Sequence, residues 1–374
     1  MRPDSREQRS AAGPPEQHSR PGPLLGTDQL PRVRITRRRL IGSVIFVVAI
    51  LAFLYLGLPK LAGLGTELRR VRDGDPWWLA AAAVLQIASR LGYIAMFRAV
   101  FVHRTARIGW RASYEITMAG LAATRLFAAA GAGGIVLTVW ALRAAGMPRR
   151  LVAARMVAFM VLLYGVYMFA LVIFGLGLYL GIFAGPAPFA ITVVPAIIGA
   201  VVILLVLSIA AVPSDFDRLV ARWTRGNSRL AVIARRAATV PAAAATGVRT
   251  AIELIRSGDP GLLGAPAWWA LDIATLWACF HAFGASPPHA VIIQAYFVGW
   301  IANTLPLPGG IGGVEGGLIG AFSAFGVGVQ STVLAVLAYR AFSFWLPTIP
   351  GAIAYLQLRR TVQRWRREPV SLPG

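Results

Sequence analysis

Few polar residues in this chain sit where they could do chemistry, and most of those interrupt long apolar stretches. The densest group runs Asn303-Thr304, then Pro306-x-Pro308-Gly309-Gly310-x-Gly312-Gly313-x-Glu315. Proline removes a backbone donor, and glycine permits tight turns and close backbone approach. A short helix beginning near Gly313 would aim its free N–H groups at a phosphate or carboxylate. The same glycines form small-xxx-small pairs, Gly312/Gly316 and Gly313/Gly317, which suit helix packing. The prolines and the acid favour a site. Glu315, at membrane depth, is either a proton-coupling or head-group residue or the fixed partner of Arg340. Arg125 and Arg90 lie in other apolar segments, and either guanidinium could grip a phosphate bidentately. Asp272 could neutralise one of them. The candidate substrate-binding residues are therefore Arg125, Asn303, Thr304, Gly310, Gly312, Gly313, Glu315 and Arg340. Glu115, Arg98 and Arg155 fall near segment ends, where reaching out to the interface is expected.

These residues do not form a catalytic set. The glycine runs follow no strand and precede no Gly-Lys-Ser/Thr, so they are neither a dinucleotide fingerprint nor a P-loop. No nucleophile–base pair or metal cluster is legible. His18, His103, His281 and His289 are scattered, and Cys279 is the single cysteine, so neither a disulfide framework nor a thiolate metal site is expected. The reading is a protein that is not an enzyme and needs no cofactor.

The elements that carry these residues are membrane segments. Of the 374 residues 57% are apolar and 14% charged, mean hydropathy is +0.65, and Ile45–Leu58, Met156–Phe183 and Phe189–Val212 contain no acid or base at all. A soluble domain carries about 25% charged residues, so soluble-enzyme classes are excluded. The excess of 37 basic over 15 acidic residues, net +22, sits between the apolar runs. It reads as positive-inside topology with anionic phospholipid at the cytoplasmic face, not as nucleic-acid binding.

Apolar segments lie at 40–58, 77–101, 113–146, 152–183, 188–212, 261–284, 288–326 and 329–356. Segments 113–146 and 288–326 are broken by glycine into arms of about 13 to 18 residues, short of the roughly 20 that a span needs. Both read as re-entrant hairpins. Arg104, Arg107 and Arg111 before the first, and Arg143, Arg149 and Arg150 after it, place its ends inside. The second has no Lys or Arg at either end and should enter from outside. The expected fold is an all-α polytopic membrane protein of about six full spans plus two Gly/Pro-broken re-entrant hairpins, arranged as an inverted repeat of 77–183 and 261–356. Both repeats open on a Trp pair, Trp77-Trp78 and Trp268-Trp269, and Gly133-Gly134 aligns with Gly312-Gly313.

The organisation along the chain follows from this. Residues 1–36 read as a disordered cytoplasmic tail, 37–212 as the first membrane half, and 213–260 as a basic cytoplasmic helical loop with Arg235, Arg236, Arg249 and Arg256 facing lipid phosphates or water. Residues 261–358 form the second half and 359–374 a basic cytoplasmic tail. Both termini are expected inside, in the cell (inner) membrane.

From Asn303 through Glu315, then Gly326, Tyr339-Arg340, Phe344-Trp345-Leu346-Pro347 and Gly351, the chain resembles the lysylphosphatidylglycerol synthase transmembrane-region family, flippase-like integral membrane proteins. The resemblance covers roughly residues 40–358. In the first half, the glycines are flanked by Ala128-Ala129-Ala130 and Ile135-Val136 in place of a proline and a polar residue. The resemblance implies a protein that moves, or helps to move, a lipid or lipid-linked anionic head group between leaflets. The family's synthases make aminoacylated lipid with a soluble C-terminal domain. This chain ends about 15 residues after its last predicted span, so synthase activity is not implied. The alternative reading is a non-transporting membrane partner that scaffolds an envelope or lipid biosynthesis enzyme through 213–260.

Overall fold

The computed structural model describes residues 74–102, 108–126, 132–211, 244–304 and 312–367. The first predicted span, 40–58, the 1–36 tail, Arg235 and Arg236, and Gly310 lie outside them. Every regular element described is helical.

The first helix, α1 (Pro76–Phe101), starts where Asp75 accepts a hydrogen bond from the Trp77 amide at 2.9 Å, with proline in the first turn. Then come α2 (Trp110–Leu126) and α3 (Ala132–Ala144), followed by α4 (Arg149–Tyr179) and α5 (Phe189–Ala210). Residues 244–257 form α6. A 3-10 turn, Pro260–Leu263, leads into α7 (Gly264–Ala282) and repeats the opening device of α1, with Asp259 accepting from the Gly261 amide beside Pro260. The remaining helices are α8 (His289–Trp300), α9 (Gly313–Ala324), α10 (Val329–Arg340) and α11 (Leu346–Arg367). A π-helical turn, Ala341–Trp345, joins α10 to α11.

Among the described residues five helical stretches are long and apolar enough to cross a membrane, by length and composition: α1, α4, α5, Pro260–Ala282, and Val329–Arg367 through the π-turn. They coincide with five predicted spans. The outward surface is apolar, as lipid contact requires: on α5, Ile197, Val201, Leu204 and Leu205 are all more than half exposed. The segments read as hairpins are helix pairs of 17 and 13, and of 12 and 12, residues. At 1.5 Å per residue these arms reach about 18–26 Å, short of the roughly 30 Å hydrocarbon core.

Glycine sets the tightest contacts. α1 and α7 pack antiparallel: the Asp75 amide bonds the Ala282 carbonyl at one end, and a β-carbon on Gly264 would stand 2.7 Å from the Met96 nitrogen. The arms α2 and α3 meet at Gly120 and Gly134, and α8 and α9 meet at Gly299 and Gly317. Of the small-xxx-small residues in the second motif Gly317 is used this way, whereas Gly312 and Gly316 have open space beside them. α2 lies antiparallel along α11, from Glu115 beside Thr361, past Gly351 against Met118, to Arg125 beside Thr348. The open ends of the two helix pairs adjoin opposite ends of α1: Arg98 reaches Ser113 at the start of α2, whereas Trp78 meets Trp277 edge-to-face, and Trp277 stacks on His289 at the start of α8.

Several arginines expected at the interface are turned inward. The Arg155 guanidinium donates to the Phe101 carbonyl at 3.0 Å, closing the end of α1. Arg98 stacks on Trp110. Arg249, read as facing lipid or water, donates to the Ala210 carbonyl at the end of α5. Glu115 is fully buried, accepting from Arg111 and Thr361. For Arg155 and Arg249 a free helix carbonyl is a stronger attraction than the interface, because the last turn carries unpaired acceptors and partial negative charge. α11 continues to Arg367, through the first part of the predicted 359–374 tail, with Leu358 and Val362 buried and Arg359, Arg360 and Arg364 exposed.

Candidate functional site

A cavity of about 600 Å³ lies between the two halves, lined by α1, α2, α3, α4 and α5 on one side and by α7, the turn Ile301–Thr304 and the α10–α11 junction on the other. Its wall is mostly apolar and aromatic. Among the described residues four acidic or basic side chains interrupt it: Arg90, Arg125, Asp272 and Arg340.

Asp272 is the most heavily bonded of these. Its Oδ1 accepts from Arg90 Nη2 at 2.7 Å and from Gln86 Nε2 at 3.0 Å, and its Oδ2 accepts from the hydroxyls of Tyr296 and Tyr339, each at 2.5 Å. Four helices, α1, α7, α8 and α10, are thereby tied to one carboxylate. The pairing of Asp272 with a nearby arginine was expected; the tyrosines and Gln86 were not. Gln86 and Arg90 stand four residues apart, on one face of α1, and that spacing was a usable signal. Tyr296 carries none, because a tyrosine in an apolar helix is ordinary core.

Arg340, at the end of α10, donates from Nε to Glu315 Oε1 at 2.8 Å. The other Glu315 oxygen accepts from the Gly312 amide at 2.8 Å, closing the first turn of α9, where Gly312 has φ +83°. The helix does begin at Gly313, but the chain's own carboxylate occupies its amino end. Of the two roles left open for Glu315, the ion pair with Arg340 is present in this geometry.

Arg125 serves a break in the opposite helix. Pro347 has no N–H, so the Ser343 carbonyl one turn earlier loses its ordinary helical donor. The π-turn spans this position, and Arg125 supplies what is missing. Its Nη2 donates to the Ser343 carbonyl at 2.7 Å, and its Nη1 donates to the Phe344 carbonyl at 2.6 Å and to Thr348 Oγ1 at 3.1 Å. The Phe344 ring lies between Arg125 and Arg340, 5.1 and 4.8 Å from the two guanidinium carbons.

Asn303 and Thr304 line the cavity, as do Arg125 and Arg340. Gly312, Gly313 and Glu315 stand behind Arg340 instead of in the wall, and Gly310 lies outside the described residues. Among the described residues no group of three His, Cys, Asp or Glu side chains could hold a metal ion. Ile135, Tyr164 and Ile198 line the cavity and are 42, 46 and 50% exposed.

Comparison with known proteins agrees with this architecture. The chain is 39% identical over 109 residues to a UPF0104 membrane protein of Methanothermobacter thermautotrophicus, 29% of this chain and 31% of that protein. Two further UPF0104 membrane proteins matched in that organism are 32 and 33% identical over 87 and 86 residues, each covering 23% of this chain and 26% of the relative. The chain thus spans about a third or less of the length of the curated relatives it matches. No solved structure matches it. Residues 39–351 match the family described as the lysylphosphatidylglycerol synthase TM region, and the chain belongs to that family of membrane proteins.

Proposed function

We propose that this protein is a flippase-like transporter, moving a lipid or lipid-linked anionic head group between leaflets of the cell membrane. The observation that carries the reading is the central cavity: a chamber among membrane-span helices, lined by Arg90, Arg125 and Arg340 in an otherwise largely apolar wall. Ionisable side chains inside a membrane are costly and mark pathways by default. Structural ion pairs alone would need no chamber.

The fold supports an inverted repeat of span, hairpin, span. α1 and α7 run antiparallel and both open after Gly-Asp-Pro, at Gly74-Asp75-Pro76 and Gly258-Asp259-Pro260. Each of the two short-helix pairs closes on facing glycines. With the undescribed segment 40–58 counted, there are six full spans, and positive-inside bias puts both termini in the cytoplasm. In such repeats broken segments meet near the midplane and form the binding site. Arg125 and Arg340 flank Phe344 where the α2 end and the α9 start converge. Glu315 exchanges Arg340 for a second partner as access alternates.

The test is side-resolved lipid translocation in proteoliposomes made with the full chain. Wild-type protein should move anionic lipid faster than empty vesicles, and Glu315→Gln should fall to the background rate. Translocation unchanged in Glu315→Gln removes that residue from the mechanism, and no translocation by wild type refutes the transport reading.

A further inference from the structure

Open space stands at both ends of the contact between α7 and α10. The central cavity stops at Asp272 on α7 and reaches Arg340 on α10. A second hollow lies between the end of α7 and the start of α10, lined by Ala282, Phe283, Gly284, Val329, Gln330 and Leu334. It sits where α1 begins, since the Asp75 amide bonds the Ala282 carbonyl there. Along α10, the stretch from Leu334 to Arg340 is about 9 Å of helix, and along α7 the stretch from Asp272 to Ala282 is about 15 Å. A barrier of that thickness separates the two spaces.

The barrier is a seam between two helix faces. Asp272, Leu276, Cys279 and Phe283 recur at helical spacing, so they form one stripe on α7 from the cavity to the second hollow. By the same spacing Thr332, Ala335, Val336 and Tyr339 share a face of α10. Leu276, Cys279, Thr332, Ala335, Val336 and Tyr339 are all fully buried, and none of them lines either space. At the cavity end the Tyr339 hydroxyl donates across the seam to Asp272 Oδ2. The Thr332 hydroxyl is instead turned back on its own helix, donating to the Gly328 carbonyl.

The two sides of the seam are held differently. α7 is fixed to α1 at both ends, by the Asp75–Ala282 bond and by a glycine contact so close that a β-carbon on Gly264 would stand 2.2 Å from the Gly92 oxygen. It is also bonded to α4, through Trp269 Nε1 and the Leu163 carbonyl. α10 lies between two breaks: Gly326, at φ +77°, before it, and the π-turn with Pro347 after it. Breaks of this kind at the ends of an element are where hinges form.

We infer that the α7–α10 seam is a gate of the cavity, opening toward the end where α1 begins, and that the Tyr339–Asp272 hydrogen bond latches it. α10 swings about its π-turn, the Tyr339 hydroxyl leaves Asp272, and the cavity and the second hollow join into one path. Asp272 keeps Arg90, Gln86 and Tyr296, so the carboxylate is not stranded when the latch opens. The assignment rests on the reading of the cavity as a transport site and gives that site an exit.

Cys279 lies in the seam and reports its opening. The full chain in detergent is treated, well below its melting midpoint, with a water-soluble trimethylammonium methanethiosulfonate, and labelling is followed by intact mass. Wild-type Cys279, fully buried, should resist the reagent. Tyr339→Phe should label about five- to tenfold faster, the change in open population that losing one hydrogen bond of about 1–1.4 kcal/mol brings. Val336→Ala thins the seam and leaves the latch intact; it should also label faster, and it carries the test if Tyr339→Phe does not fold. Tyr167→Phe removes another buried hydroxyl, bonded to the Phe297 carbonyl outside the seam, and should label like wild type. Labelling of both seam variants at the wild-type rate, or equal acceleration by Tyr167→Phe, overturns the gate. Acceleration by Val336→Ala with none by a folded Tyr339→Phe overturns the latch. In proteoliposomes, translocation by Tyr339→Phe should stop once Cys279 is modified, and an undiminished rate takes the seam off the path. Seam labelling as expected with no translocation by wild type defeats the transport reading and leaves the hinged seam standing. Translocation with Cys279 protected in every variant does the reverse.

Discussion

Burying a carboxylate away from water is affordable only when its oxygens are fully paired, and Asp272 satisfies that condition with Arg90, Gln86, Tyr296 and Tyr339. Asp272→Asn leaves Arg90 buried without its counter-charge and should cost about 3–5 kcal/mol, read as a large drop in the detergent melting midpoint. Tyr339→Phe removes one neutral donor and should cost about 1–3 kcal/mol. The neutral pair Arg90→Gln with Asp272→Asn should melt higher than Asp272→Asn alone, because neither charge is then stranded. A double variant that melts below the single one would contradict this account of the cluster. Asp272 and Arg90 were legible in the sequence as intramembrane charges of opposite sign. That both tyrosine hydroxyls point at the same oxygen was not, because burial alone accounts for a tyrosine in an apolar helix.

At the scale of the helix, Arg125 and Pro347 form one device although 222 positions separate them. Proline opens the hydrogen-bond ladder of the last span, and an arginine from the opposing short helix closes it again. Two substitutions made alone and together measure that dependence. Arg125→Gln should destabilise the protein by about 1.5–3 kcal/mol, the worth of hydrogen bonds to a charged group. In a Pro347→Ala background, where position 347 again has an N–H for the Ser343 carbonyl, the same substitution should cost at least about 1 kcal/mol less. Additive melting shifts would show that the two residues act independently. Gly264 offers a second test, because a β-carbon there meets the backbone of α1. Gly264→Leu should force α1 and α7 apart and cost about 1–3 kcal/mol or more, lowering yield and melting midpoint together. The Gly/Pro-broken segments announced short helices by their length. The partner of the break was hidden, since sequence spacing does not reveal which carbonyls a distant guanidinium will reach.

At the scale of the whole molecule, the membrane class, five of the spans and the glycine breaks followed from apolar run length and charge placement, because a bilayer imposes both directly. The chamber did not follow. It depends on how α1, α4 and α7 pack against two short helix pairs, and no local pattern encodes that packing. The arginines expected at the interface erred for a related reason, since Arg155 and Arg249 find helix carbonyls that only tertiary structure brings near.

The central claim is that lipid head groups travel through this chamber, and a plug tests it most directly. Cys279 is the only cysteine and is fully buried, so it offers a thiol reagent no foothold. Thr304 lines the cavity and is exposed to it. Lipid translocation in proteoliposomes should be measured for Thr304→Cys before and after complete modification with a bulky thiol reagent, beside wild type treated identically. The expected result is a fall to the empty-vesicle rate in the modified variant alone. An undiminished rate after full modification would mean that lipids do not pass through the cavity.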